Sequence, residues 1–177
     1  ASTSRLGADT AYSEDVLKIG KKLVTKLWNA AKFAAIHLEK RQEKEGAITD
    51  TLDKWLISRL HKTVKKATEE FEKFEYCNAR VAIEDFFWND FCDNYLEIVK
   101  QRAYDEAGEN PAGQQSAIHT IHVALETLIR LFAPFVPHIA EELYSYLFAA
   151  EGQSVHARGS WPNAADYACD EVAEQAG

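Results

Sequence analysis

An all-α fold, an antiparallel bundle of four to five long helices followed by a short irregular C-terminal segment, is the class this sequence predicts. Glycine and proline number only 8 and 4 in 177 residues and gather in a few places, so the stretches between them are long enough for multi-turn helices. Those stretches carry apolar residues at spacings of three and four, the period of a helix with one buried face. The joints are short, which favours antiparallel neighbours, and a 46% hydrophobic content is enough for one core.

Ser13, followed by Glu14 and Asp15, reads as an N-cap with acids in the first turn of a helix expected to reach about Lys44, before Gly46. Thr49 and Asp50 start a second, with Leu52, Leu56, Leu60, Val64, Ala67, Phe71 and Phe74 as its core stripe. A third is expected from near Asn78 to about Tyr104 and contains the run FFWNDFCDNYLEIVKQR. The segment DEAGENPAGQQ then reads as a loop. A fourth helix, about Ser116 to Phe132, stops before Pro134, and Pro137 suits the first turn of a fifth that runs to about Phe148. After Gly152 the pattern weakens. Ser154 to Ala157 leaves room for a short strand or extended segment, and the last fifteen residues, with four acids and no Lys or Arg, read as a mobile tail or the stump of something longer.

Composition excludes several functions. The formal charge of -8 disfavours nucleic acid unless basic groups cluster. They do cluster: between Lys18 and Lys44 there are eight Lys or Arg against two Glu. Cys77, Cys92 and Cys169 form no C-x-x-C pair and leave one over, so neither a disulfide framework nor a zinc site is expected and a reducing cytoplasm fits. No apolar run approaches the roughly 20 residues of a membrane span, and the first residues lack a signal peptide's basic and apolar blocks.

Turning about 100° per residue along the first helix makes Val16, Leu23, Leu27, Ala31, Ala34 and Leu38 the buried stripe. Phe33 falls outside it, on a face shared with Lys22, Lys26 and Asn29, while Trp28 lies on the other flank near Lys21 and Lys32. An aromatic ring among lysines suits single-stranded nucleic acid, where the ring stacks a base and the ammonium groups meet phosphates. Packing of Phe33 against another helix or domain is the alternative. In the third helix the same geometry groups Phe87, Trp88, Phe91, Tyr95, Ile98 and Val99 as core and sets Leu96 outward, near Asn89 and Lys100. Leu96 is thus either a partner contact or one of the ordinary exposed leucines.

Catalytic readings find little support. Cys92 beside Asp93 has no orienting histidine, and helix neighbours point about 100° apart. His119 and His122 stand at i, i+3 without a third ligand, and His138, Glu141 and Glu142 fit an ordinary first turn after Pro137. There is no Gly-rich phosphate loop and no nucleophile elbow.

Several stretches together nevertheless carry a resemblance. KLWNAAKF at 26–33, DKWLISRL at 53–60, FFWNDFCDNYLEIVKQR at 86–102, LFAPFVPHIAEELY at 131–144 and SVHARGSWP at 154–162 resemble, in this order, the helical anticodon-binding domain of class I valyl-tRNA synthetases. The match spans about residues 1–162. Its last two motifs are shared with isoleucyl and leucyl enzymes, whereas WNDFCDNYLE is more specific to the valine enzymes.

The resemblance implies residues 1–12 as the end of a catalytic domain or linker, 13–149 as the anticodon-binding bundle and 150–177 as an extended segment with an acidic tail. ASTSRLGADT looks like the segment just after that family's KMSKS loop; neither the KMSKS nor the HIGH signature occurs in this chain. ATP and magnesium, valine binding, aminoacylation and editing are therefore expected in a parent enzyme, with no cofactor in these residues and no activity from them alone. A C-terminal coiled coil often follows in this family. The implied partners are the anticodon stem-loop of valine tRNA and the catalytic domain of the same chain, with no membrane, and the fragment is expected to be monomeric.

In this family the bundle reads an anticodon whose second and third bases are A and C. Phe33, closing WNAAKF, and Leu96, in NYLE, match positions where the family contacts bases. Lys22, Lys26, Asn29 and Lys32 are expected on phosphates or base edges, with Lys100 and Arg102 as weaker candidates. Two departures stand out: Asp15 replaces a basic contact of some members, and Asn94 replaces the tryptophan of the form FCDWYLE. An isoleucine- or leucine-type domain and a helical protein scaffold without RNA binding are the alternatives.

Overall fold

A computed structural model describes Gly7, residues 14–39 and residues 48–176. The expected cap at Ser13, the segment through Lys44 and the rest of residues 1–12 lie outside the described residues, apart from Gly7. Within them the chain forms α1 (Glu14–Leu38), α2 (Thr51–Glu72), α3 (Tyr76–Asp85), a π-helical segment (Phe86–Tyr95), α4 (Leu96–Tyr104), α5 (Pro111–Phe132), α6 (Pro137–Leu147), a 3-10 turn (Ala164–Asp166) and α7 (Glu171–Ala176). No strand occurs among the described residues, and none of their helices is long and apolar enough to cross a membrane.

Local chemistry sets most of the boundaries. Asp50 caps α2, its carboxylate accepting from the Leu52 N–H at 2.9 Å. Asn110 caps α5 in the same way, accepting from Gly113 N–H at 2.9 Å, with Pro111 opening the first turn. This cap starts α5 five residues before the expected Ser116. It also explains Gly113, where a Cβ would collide with the capping side chain. Pro137 opens α6 as expected.

α1 packs on α5 and α6, α2 on α3, α5 and the π segment, and α4 on α5. The core between them holds Leu27, Leu56, Leu60, Ile121, Leu125 and Phe132 around a wedge of Phe86, Phe87, Phe91 and Tyr95, all at most 1% exposed. Leu23, Leu27, Ala31 and Ala34 are buried as predicted, but Val16 is exposed, as are all of residues 14–22.

The C-terminal segment differs from expectation. Ser154–Ala157 forms turns, with Val155 buried and its N–H donating to Glu141 at 3.1 Å. Trp161 donates to Thr68 Oγ1 at 2.9 Å and meets Phe71 edge-on. Instead of a loose tail, α7 lies on α2: Ser58 donates to Glu174 at 2.5 Å, Lys62 pairs with Glu174, and Ala173 is buried. Glu174 answers Lys62 of α2, a pairing that a count of local charge cannot reveal.

Candidate nucleic-acid interface

α3, the π segment and α4 form one continuous rod from Tyr76 to Tyr104, and the π segment sets which faces the rod presents. Its ladder runs five residues back, as in the bond from Leu96 N–H to the Phe91 carbonyl. Asn94 supports that turn from outside, its side-chain amide donating to the Asn89 carbonyl at 2.9 Å. More residues per turn than 3.6 means less rotation per residue, so the phase drifts from that of a regular α-helix. The consequence is a correction. Leu96, expected to face outward, is only 7% exposed, while Ile98, expected in the core, is 61% exposed. Trp88, also expected in the core, is only half buried.

The far end of the rod is fixed by a buried polar cluster. Asp53, fully buried on α2, accepts from Tyr95 Oη at 2.6 Å, Ser116 Oγ at 2.5 Å and Arg102 Nη2 at 2.5 Å. Burial pushes the Asp53 carboxyl up, and the hydrogen bonds from Ser116, Tyr95 and Arg102 work against that rise. Arg102 also pairs with Asp50 at 2.8 Å. Expected as a phosphate contact, Arg102 is instead turned inward and engaged by two aspartates of the α2 start.

Between α1 and the rod lies a cleft of about 260 Å³ lined by Lys26, Asn29, Ala30, Phe33, Cys92, Leu96, Glu97 and Lys100. It brings together five of the sequence-derived candidates: Phe33, Leu96, Asn29, Lys26 and Lys100. Phe33 is half buried on one wall, held by the rings of His37 at 4.7 Å and Tyr104 at 6.2 Å between centroids. Leu96, Ala30 and Cys92 give an apolar floor. Lys26 bridges to Asp93 at 3.1 Å and lies 5.7 Å from the Trp88 ring centre. Partial burial works against its charge, but the Asp93 hydrogen bond and nearby charges outweigh that and hold its pKa raised. Lys100 donates to both oxygens of Glu97, at 2.7 and 2.6 Å.

Lys22 lies one turn along α1, in a shallow groove shared with Lys18, Lys21, Thr25, Lys26, Asn29 and Trp88. Four lysines beside a half-exposed indole continue the cleft as a basic track. Lys32 does not join it. Together with Trp28 and Ile36 it borders a separate, largely apolar groove against Leu143, Tyr146 and Leu147 of α6, and Phe33 touches both cavities. The sequence reading did not single out Glu97 or Trp88 for this surface, since each looked like an ordinary helix residue until the π segment fixed the phase.

Other candidates lose their chemistry. Burial pushes the Cys92 thiol up to about 12, which keeps it protonated and unreactive at neutral pH. His119 and His122 stack at 6.4 Å, and no group of three His, Cys, Asp or Glu suited to a metal occurs among the described residues.

A family profile described as the anticodon-binding domain of tRNA ligase matches residues 53–176. The chain is 52% identical over 175 residues to a valine–tRNA ligase of Rickettsia felis, covering 94% of this chain and 20% of that one. It is 48% identical over 175 residues to a valine–tRNA ligase of Wolbachia, covering 98% of this chain and 20% of the relative. Among solved structures it is similar to the leucyl enzyme in a LeuRS–tRNA–LeuAMS ternary complex of Agrobacterium radiobacter, with a TM-score of 0.63 and 17% identity over 89% of this chain and 18% of that chain. That last likeness shows the fold. The chain thus spans about a fifth of the length of the curated relatives it matches.

Proposed function

The chain belongs to the family of anticodon-binding domains of tRNA ligases, and from that premise we propose that it recognises the anticodon stem-loop of valine tRNA on behalf of a valine–tRNA ligase. The observation that carries the reading is the cleft itself: an aromatic ring, an apolar floor and three cationic or amide side chains meet in one place beside the basic α1 of an acidic chain. Phe33 stacks a base whose floor is Leu96; Lys26 and Lys100 hold flanking phosphates; Asn29 meets a base edge. Burial of Leu96 does not remove it from this role, since a buried residue at the floor of a cleft contacts whatever fills the cleft. Lys22, with Lys18 and Lys21, extends the phosphate track toward the start of α1. Arg102 and Lys32 take no part: Arg102 positions the rod, and Lys32 faces α6.

Valine is favoured over other amino acids by the identities of about 50% to valine–tRNA ligases, which also support a parent enzyme that joins valine to tRNA, with ATP, magnesium and editing as the family resemblance implies. We assign those chemistries to the remainder of that parent, and with them the catalytic domain as this bundle's covalent neighbour. The bundle alone acts as a monomer in the cytoplasm.

Binding should be weak, strongly salt-dependent and specific for the anticodon. With Lys18, Lys21, Lys22, Lys26 and Lys100 on phosphates, the logarithm of affinity should fall against the logarithm of salt with a slope of about -3 to -4. In a filter-binding titration of the valine anticodon stem-loop at low salt, Phe33→Ala should weaken binding by about 1–3 kcal/mol. Unchanged binding in that variant would refute the stacking role, and indifference to the anticodon bases would refute the reading as a whole.

A further inference from the structure

We propose that Asp53 is a positioning residue that acts from outside the cleft: by holding Tyr95 and Arg102 on one carboxyl group, it locks the rod in its π-helical register. Only the last step, from register to RNA, rests on the anticodon reading above. Asp53 lies in the first turn of α2 and takes no part in lining the cleft. Four elements meet at its carboxyl group. Tyr95 closes the π segment and donates to Oδ1 at 2.6 Å, and Arg102 of α4 donates to the same oxygen at 2.5 Å. Ser116 of α5 donates to Oδ2 at 2.5 Å, and its hydroxyl in turn accepts from the Thr49 N–H at 3.0 Å, just before α2. The far end of the rod is thus tied to the paired starts of α2 and α5.

Tyr95 and Arg102 stand about two α-helical turns apart and so share one face of the rod. That face meets Asp53 only while the π segment precedes it. Relaxing one π turn to a regular α-helix would carry the later side chains on by about 100° and 1.5 Å, taking both residues off Asp53. Ile98 would then enter the core in place of Val99, and Leu96 would move out to the rim where Glu97 stands. The apolar core discriminates little between the two registers, because aliphatic side chains of similar size exchange places: Leu96 is 7% exposed and Ile98 61%. A buried polar group decides instead. In the relaxed register the fully buried Asp53 would keep Ser116 alone, and a buried acid short of its donors is costly. Single buried polar residues fix helix register in coiled coils for the same reason. The effect reaches the cleft because Leu96 and Lys100, which line it, lie between the two anchored residues.

The test places a thiol probe at each of the two positions that the register exchanges, Leu96→Cys and Ile98→Cys, in the whole 177-residue chain. Peptide mass spectrometry separates their labelling from that of Cys77, Cys92 and Cys169. With Asp53 intact, the probe at position 98 should react about tenfold or more faster than the probe at position 96. Asp53→Asn, which sets an amide NH2 against one group of donors, should bring that ratio to about one or below. Tyr95→Phe, which removes one donor and keeps the ring, should shift it the same way by less. Loss of stability alone raises both rates together, so the ratio reads register and not folding. A ratio unchanged in both variants would overturn the lock, and where circular dichroism shows Asp53→Asn unfolded, Tyr95→Phe alone decides. The variants should also bind the valine stem-loop about tenfold more weakly, the scale of one lost base contact. A shifted ratio with unchanged stem-loop affinity would leave the lock standing and count against the anticodon reading. An unshifted ratio would overturn the lock and spare that reading.

Discussion

At Glu70 the corner between α2 and α3 is held by a single carboxylate, which accepts from Lys66 at 2.9 Å, Asn78 at 3.0 Å and Lys73 at 3.3 Å. The Lys66 hydrogen bond, then that of Asn78, lower its pKa from 4.5 to about 2. A folded value below the unfolded one contributes stability above pH 4.5 that is lost as pH falls toward 2, because the unfolded chain takes up the proton first. The melting temperature of the wild type should therefore fall more steeply between these values than that of Glu70→Gln, and parallel curves would contradict the account. Side chains differ in how far sequence reveals them. Phe33 stood out because a ring among lysines breaks the core stripe of its own helix. Arg102 and Asp53 did not, since they lie 49 residues apart and only the fold brings them to 2.5 Å. For Arg102 a basic residue near a predicted site looked like a ligand contact, whereas a buried aspartate opposite claimed it.

The same limit appears between elements. α2 ends in a motif usually built on glycine: Glu75 N–H donates to the Glu70 carbonyl, Phe74 N–H donates to the Phe71 carbonyl, and Phe74 takes the left-handed φ of 61°. Phe74 is 65% exposed, so little packing offsets a conformation that costs a non-glycine residue about 1–2 kcal/mol. Phe74→Gly should therefore raise unfolding free energy in urea by about 0.5–1 kcal/mol, and a loss would show that the ring contact with Tyr76 matters more than the strain. Helix existence was legible from α1 to α6, because caps and periodicity are local, but not for α7, whose residues read as a tail. Nor was the π segment legible. A hydrophobic pattern read at 3.6 residues per turn assigns Leu96 and Ile98 to opposite faces, and a longer turn between Phe86 and Tyr95 exchanges them. The face reading pointed to Leu96 from the wrong phase, and the motif resemblance pointed to it independently of phase. Asn94 illustrates the reverse, a departure from the commoner motif that supports the π turn through its bond to Asn89.

Over the whole molecule, charge is divided rather than balanced. A chain of net charge -8 gathers Lys18, Lys21, Lys22 and Lys26 on the projecting start of α1, while acids such as Glu174 are consumed by α2. Those four lysines favour RNA where the basic track meets the cleft. The fold class and that basic helix were legible from composition and spacing, but the cleft was not, because it exists only where α1 stands beside a rod whose phase the sequence misstates. Its Glu97 and Trp88 had no signal of their own. The account's central claim is that this cleft, and not the apolar groove along α6, receives the anticodon loop. Titrating the unlabelled valine stem-loop into ¹⁵N-labelled protein and following amide shifts tests it directly. The largest shifts should fall on Lys26, Asn29, Phe33, Leu96, Glu97 and Lys100 and fade as salt rises; shifts centred on Trp28, Ile36 and Tyr146, or none at low salt, would contradict it.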